Sequence, residues 1–183
     1  MRVITGKYRA RKLIAPDTED TRPTLARVKE SIFSILPLSH EGYSTLDLFA
    51  GSGAYGIESL SRGAKKTYFV DASGQAIKAI SQNTRNIKED YEIIKSDCFD
   101  ALKELSSKGI KFDLVFLDPP YASDLGEKVI AFIESHQMLN DKGIIVYEHL
   151  NDKKLLQKLF KRYIIIMSKN YSDIVVDFIS TEN

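Results

Sequence analysis

From Ser44 onward, strand-like and helix-like runs alternate, and that rhythm is what most restricts the fold. Strands are expected over 44–49, 66–71, 91–95, 111–117, 142–149, 162–168 and 173–180, and helices near 54–62, 73–88, 97–107, 124–137 and 151–160. The run Phe112-Asp113-Leu114-Val115-Phe116-Leu117 has the β-branched and aromatic content of a buried strand. Strands alternating with helices build βαβ units, hence a parallel sheet covered on both faces. The last two strands are joined only around Lys169-Asn170-Tyr171-Ser172, too short a link for a crossover, so the final strand runs antiparallel. An α/β chain with a seven-stranded, mostly parallel sheet and helices on both faces is the expected result.

The first 40 residues depart from this rhythm. Residues 2–5 and 12–15 read as a short strand pair. Arg22-Pro23-Thr24 then opens a helix with Val28, Ile32, Ile35 and Leu36 on one face. A small hairpin-plus-helix appendage (1–40) on a core (41–183) within a single domain follows. Arg2, Lys7, Arg9, Arg11 and Lys12 give the first 12 residues five bases and no acid, and Arg27 and Lys29 could extend that patch. A solvated charged edge is the plain reading, and phosphate contact the functional one. Net charge is only +1, so affinity for nucleic acid would come from such a local patch.

The N-terminus lacks the apolar run of a signal peptide, and no apolar stretch approaches bilayer length, so a cytoplasmic protein with no membrane partner is expected. Cys98 is the single cysteine, which rules out an internal disulfide and a multi-cysteine zinc site. His40, His136 and His149 lack ligand spacing and read as surface or partly buried residues, so no metal is expected.

Two strand ends carry chemistry. Asp118-Pro119-Pro120-Tyr121 follows the 111–117 strand, and neither proline can donate to a ladder. An acid and an aromatic ring are thereby held on stiff backbone where open α/β sheets place ligands. Asp47-Leu48-Phe49-Ala50-Gly51-Ser52-Gly53-Ala54-Tyr55-Gly56 joins the first strand to its helix, and the next strand ends in Asp71, placed to accept from ribose hydroxyls. Taken alone this is a dinucleotide fingerprint, and a weak one. Asp47 would repel a pyrophosphate but suits an ammonium, Ser96-Asp97-Cys98-Phe99 suits the rim and face of an adenine, and hydride transfer has no use for the Asp118 tetrapeptide. A ligand with an adenosine and an amino-acid head, S-adenosylmethionine, would use all of these.

Asp47-Leu48-Phe49-Ala50-Gly51-Ser52-Gly53 together with Asp118-Pro119-Pro120-Tyr121 resembles the class I, Rossmann-like methyltransferases that modify exocyclic amines. With Arg22-Pro23-Thr24-x-x-Arg27-Val28-Lys29-Glu30-Ser31-Ile32-Phe33, the chain is similar to the RsmD-type bacterial methyltransferases, which act on N2 of a guanine in 16S ribosomal RNA. The resemblance implies that Asp118, Pro119, Pro120 and Tyr121 are catalytic. It implies that Arg22, Thr24, Asp47, Phe49, Ala50, Gly51, Ser52, Gly53, Asp71, Ala72, Asp97, Cys98 and Phe99 bind the cofactor. Arg2, Lys7, Arg9, Arg11, Lys12 and Arg27 would then meet RNA, the partner being 16S rRNA within an assembled small subunit and the enzyme a monomer. Glu148 ends the fifth strand near this site and would either help recognise guanine or serve the structure. Two departures concern turn geometry: Ala10 and Ser172 stand where the family commonly has Gly. The competing readings are a DNA adenine-N6 methyltransferase, a catalytically silent RNA-binding assembly module and, last, an NAD-dependent dehydrogenase.

Overall fold

The computed structural model describes residues 1–16, 23–120, 124–151 and 160–181, with backbone only for 23–25. In chain order the elements are α1 (Pro23–Ile35), β1 (Ser44–Leu48), α2 (Ala54–Ser61), β2 (Lys66–Asp71), α3 (Gly74–Thr84), β3 (Asp90–Lys95), α4 (Cys98–Ser107), β4 (Phe112–Leu117), α5 (Leu125–Ser135), β5 (Leu139–Leu150), β6 (Tyr163–Tyr171) and β7 (Ile174–Thr181). The strands form a seven-stranded sheet of order β3-β2-β1-β4-β5-β7-β6. β1 to β5 pair in parallel, and β7 lies antiparallel between β5 and β6. Strand order reverses between β1 and β4, where an open α/β sheet leaves a crevice beyond its carboxyl ends.

Both faces of the sheet are covered, which is why its strands are apolar on both sides. Leu46, Leu48, Val115, Leu117 and Tyr147 pack against α4 and α5 through Leu102, Leu105, Val129 and Ile133. On the other face, Phe69 meets Ile57 and Leu60 of α2 and Ile80 of α3. Beside them, Leu114, Phe116, Val146, Val176 and Phe178 meet Val28, Ile32 and Phe33 of α1 and Leu36 just beyond it. Helix α1 begins at Pro23, whose missing N–H costs nothing at a helix's first position. It is a full member of one helical layer rather than an ornament on the core. Among the described residues, no helix is long and apolar enough to cross a membrane.

Some expectations needed correction. The strand pair over 2–5 and 12–15 reduces to one bridge, Arg2 with Lys12. The ladder stops because Glu58 takes the next amides, Ile4 N–H at 2.7 Å and Thr5 N–H at 3.0 Å. The β6–β7 turn is tighter than expected, since Lys169 and Asn170, polar enough to suggest a loop, pair with Val176 and Val175. β5 begins at Leu139 rather than 142 and α3 ends at Thr84 rather than 88. The helix expected over 151–160 lies almost wholly outside the described residues.

Ala10 and Ser172, where the resemblance leads to an expectation of glycine, both sit in the left-handed region, at φ 67° and φ 53°. That region costs a residue with a Cβ roughly 1–2 kcal/mol. Glycine gives back part of this through its freer unfolded chain. Ala10→Gly and Ser172→Gly should therefore each stabilise the protein by about 0.5–1 kcal/mol. Urea titration checks this, and an unchanged or lower midpoint for both would contradict it.

Candidate active site

The site begins with the turn out of β1. Asp47 lies between Leu46 and Leu48, which point into the α4–α5 core, so its side chain faces the α1–α2 side. It is 1% exposed, and Oδ2 accepts from Gly56 N–H at 2.8 Å. The chain then turns through Phe49, Gly51 and Gly53 at φ 60°, 55° and 75°. Phe49 pays the left-handed cost that the glycines escape, and such strain collects at functional loops. Gly51 N–H donates to Asp71 Oδ2 at 2.9 Å, latching the loop to the end of β2, and Ser73 N–H donates to Asp71 Oδ1 at 2.8 Å. Gly53 caps α2 without a side-chain hydrogen bond, leaving a helix N-terminus suited to a carboxylate. Gly56 serves packing instead. A Cβ there would come within 2.3 Å of the Phe69 ring, so only glycine lets α2 lie this close to β2.

At the end of β3, Asp97 is exposed and caps α4, its Oδ1 accepting from Phe99 N–H at 2.9 Å. Cys98 is buried, and burial together with the Asp97 charge pushes its thiol up to about 11, which leaves it neutral and poorly nucleophilic. The Phe99 ring is half-buried and meets Phe132 edge-on at 6.1 Å. Ala72 is exposed just beyond Asp71.

The third component is the end of β4, where Asp118 is half-buried, Pro119 buried and Pro120 exposed. β4 pairs with β5 through Leu117 and Tyr147, so the next residues, Asp118 and Glu148, stand side by side. Glu148 is 2% exposed, and Tyr55 Oη donates to its Oε2 at 3.2 Å. The Tyr55 ring is itself stacked on Phe116, with centroids 5.0 Å apart, and Phe116 meets Phe33 of α1 at 5.4 Å. Burial first, then the charges of Glu148 and Asp47, hold the Asp118 pKa well above the usual aspartate range. Burial likewise pushes Asp47 up to about 8, with Gly56 N–H and Lys29 opposing and Asp71 adding to the rise. Asp47, Asp118 and Glu148 thus converge at the strand-order reversal, where a cation would favour their ionised forms.

The family model described as "Conserved hypothetical protein 95" matches residues 1–180. The chain belongs to that family. It is 38% identical over 157 residues to a putative rRNA methyltransferase, YlbH of Bacillus subtilis, covering 85% of each. It is 37% identical over 160 residues to ribosomal RNA small subunit methyltransferase D of Haemophilus influenzae, covering 85% of this chain and 82% of the relative. The solved structure of a putative methyltransferase, yhhF from Escherichia coli, matches with a TM-score of 0.83 at 28% identity over 100% of this chain and 98% of that one. The RsmD-type resemblance read from the motifs and the Rossmann-like class I methyltransferase fold are both shown.

Within this family member, the structure brings together the loop at Phe49, Ala50, Gly51, Ser52 and Gly53, the acids Asp47, Asp71 and Asp118, and Pro119. Arg22 and Tyr121 lie outside the described residues, as does the side chain of Thr24, although its backbone sits in the first turn of α1. In the arm, Arg2, Lys7, Arg9, Lys12 and Arg27 are exposed, and Arg11 is half-buried with its guanidinium 5.8 Å from the Tyr8 ring centroid. Arg2, Arg9 and Lys12 line a cleft of about 710 Å³ between the arm and α1, whereas Lys7 is paired with Glu89 at 2.7 Å. Lys29 cannot extend the patch: it is 1% exposed and paired with Glu58 at 3.0 Å. His40 and His149 are buried rather than superficial, bonded to Ser59 and Asp177 respectively, and only His136 is exposed.

Sequence reasoning left two residues of this region without a role. Tyr55 lies inside the glycine motif, and its aromatic ring one turn from Gly51-Ser52-Gly53 was the available signal. Glu58 joins the arm, α1 and α2, and a charge between Ile57 and Ser59-Leu60 on a small-residue helix was the hint.

The raised Asp47 pKa has a consequence for stability. A carboxyl that holds its proton more tightly when folded contributes fully below the unfolded value near 3.8, and that contribution is lost as pH rises toward about 8. Asp47→Asn removes the titration while keeping an oxygen for Gly56 N–H. Its thermal stability relative to wild type, without cofactor, should therefore improve steadily from about pH 4 to about pH 8, and a difference independent of pH would refute this.

Proposed function

We propose that this protein transfers a methyl group from S-adenosylmethionine to the exocyclic N2 of a guanine in 16S ribosomal RNA, acting on the assembled small subunit. The observation that carries the reading is the stiff Asp118-Pro119-Pro120 corner standing beside the glycine loop of β1 at the strand-order reversal. The names borne by the relatives, rRNA methyltransferase and small-subunit methyltransferase D, support ribosomal RNA as the substrate.

The residues present fit the cofactor. Asp47 with the Gly51-Ser52-Gly53 backbone suits an amino-acid head, with the cationic ammonium answering the buried Asp47. Asp71 would take the ribose, beside Ala72. Asp97 would accept from the adenine amine, and the Cys98 backbone and Phe99 would line the ring. Arg22 and Thr24 would close over the methionine end. When bound, S-adenosylmethionine supplies an electrophilic methyl whose carbon–sulfur bond breaks, with its electrons on sulfur, as the nitrogen lone pair forms the new carbon–nitrogen bond.

The difficulty lies with the amine, whose lone pair is delocalised into the guanine ring. The Asp118 carboxylate and the Pro119 carbonyl each accept one amine hydrogen, which draws the nitrogen toward tetrahedral geometry and aims its lone pair. Asp118 also stabilises the positive charge that develops on nitrogen and takes the released proton. Its raised proton affinity suits it to take that proton. Tyr121 would stack on the base once it has swung out of the RNA.

Asp118→Ala should lower turnover by roughly two orders of magnitude or more while leaving cofactor affinity near normal. Radiolabel transfer to small subunits and a cofactor titration check this, and near-normal labelling would sink the mechanism. For the arm, Arg2, Arg9 and Lys12 should carry the salt dependence. Replacing all three with Ala should flatten log Kd against log salt by about 0.7–0.9 for each lost phosphate contact. Lys7→Ala, which removes a base already paired with Glu89, should change the slope less. Identical slopes for the triple variant and wild type would show the arm to be only a solvated edge.

A further inference from the structure

We infer that Glu148 is the specificity-determining residue of the base site, accepting the N1–H of the target ring while Asp118 and Pro119 hold the neighbouring amine. The inference rests on the guanine-N2 reading and goes beyond it by assigning the discrimination to one side chain. β4 and β5 run in parallel register with Leu117 beside Tyr147, so Asp118 and Glu148 are adjacent across the pair. Leu117 and Tyr147 both belong to the α4–α5 core, and Phe116 and Val146 both belong to the α1 core. Alternation along the two strands therefore sends Asp118 and Glu148 to the same α1-facing side. Tyr55 fixes Glu148 there, donating to Oε2 at 3.2 Å from a ring stacked on Phe116.

Two neighbouring acids suit one edge of one base. Guanine presents N1–H next to its N2 amine, two donors side by side, and a pair of adjacent carboxylates accepts both. Adenine presents its N6 amine next to an N1 lone pair, which a carboxylate at position 148 would repel. A buried acceptor left facing a lone pair is penalised far more heavily than the loss of an apolar contact. Glu148 thus separates the guanine reaction from the adenine-N6 reaction that the acid-Pro-Pro corner alone would also support.

The test uses 2-aminopurine, which keeps the exocyclic N2 amine but carries a lone pair in place of N1–H. Small subunits are reconstituted with 16S rRNA holding either guanine or 2-aminopurine at the methylated position, mapped first with wild-type protein, and kcat/KM is measured on each. Wild type should prefer guanine by roughly 100-fold or more. Glu148→Gln, whose amide can turn to donate as well as accept, should shrink that preference to within roughly tenfold. A wild-type ratio near one overturns the inference without reference to any variant, so a poorly folding Glu148→Gln leaves it testable. A variant that loses activity equally on both bases also overturns it, and leaves Glu148 as a brace for Tyr55. If wild type forms no N2-methylguanine on any particle, the functional reading itself fails and takes this inference with it.

Discussion

The reversal of strand order between β1 and β4 is the constraint from which the rest of the site follows. β2 and β3 lie on one side of β1, and β4 and β5 on the other. The connections after β1 and β4 therefore diverge, and nothing in the sheet closes the gap between them. Into that gap the sequence places its two least regular corners: Phe49 to Gly53 with alternate left-handed residues, and Asp118-Pro119-Pro120. Each would be awkward inside a strand. At a carboxyl edge each leaves backbone amides, carbonyls and acids facing the same space, held by the register of β1 against β4.

The arm depends on a second interaction, centred on Glu58. Its carboxylate, fully buried, accepts from the Ile4 and Thr5 amides and pairs with Lys29 and Arg62. Burial alone would raise its pKa, but Lys29 and the two amides outweigh that and hold it below the usual value. Such a hub costs a great deal to break, because losing one partner strands a buried charge. Gly6 adds a steric lock, since a Cβ there would sit 1.8 Å from the Ser61 carbonyl oxygen. The bases at Arg2, Arg9 and Lys12 are consequently presented from a fixed platform against α1, and α1 in turn packs Phe33 against Phe116, one residue layer below Asp118. Arm and Asp118 corner are mechanically joined through one helix.

Much of this was legible in the sequence, and the reasons are physical. Alternating apolar runs cannot be satisfied except by a sheet with two helical layers, and a four-residue link cannot cross over, so topology was readable to the last antiparallel strand. Glycines, prolines and acids at strand ends mark sites because they are poorly tolerated elsewhere. What escaped was long-range pairing. Lys29 looks like part of a basic patch until Glu58, 29 residues on, is seen to bury it, and nothing local to Ile4 or Thr5 says that Glu58 will take their amides and end the hairpin. Ala10 and Ser172 could be flagged only against the family's glycines. Their positive φ places both in the region that glycine adopts without strain.

The buried acids pose the remaining question of why a protein would keep Asp47, Asp118 and Glu148 so close together. Burial raises the proton affinity of Asp47, and burial with the charges of Glu148 and Asp47 raises that of Asp118, so without a cation these two acids cost the fold stability as pH rises. On the proposed reading, the cofactor's ammonium and sulfonium, partly offset by its own carboxylate, would relieve that cost chiefly at Asp47, so part of the latent instability would become binding energy for the cofactor. On the proposed route methyl transfer would remove the sulfonium charge and Asp118 would take up the amine proton in the same turnover. The product complex would then hold fewer charges on both sides of the pairing, and the electrostatic grip on the spent cofactor would relax. An apolar crevice could bind the adenosine as well, but it would hold substrate and product cofactors almost alike. The crowding of acids at the strand-order reversal would, on this reading, give the site a reason to let go.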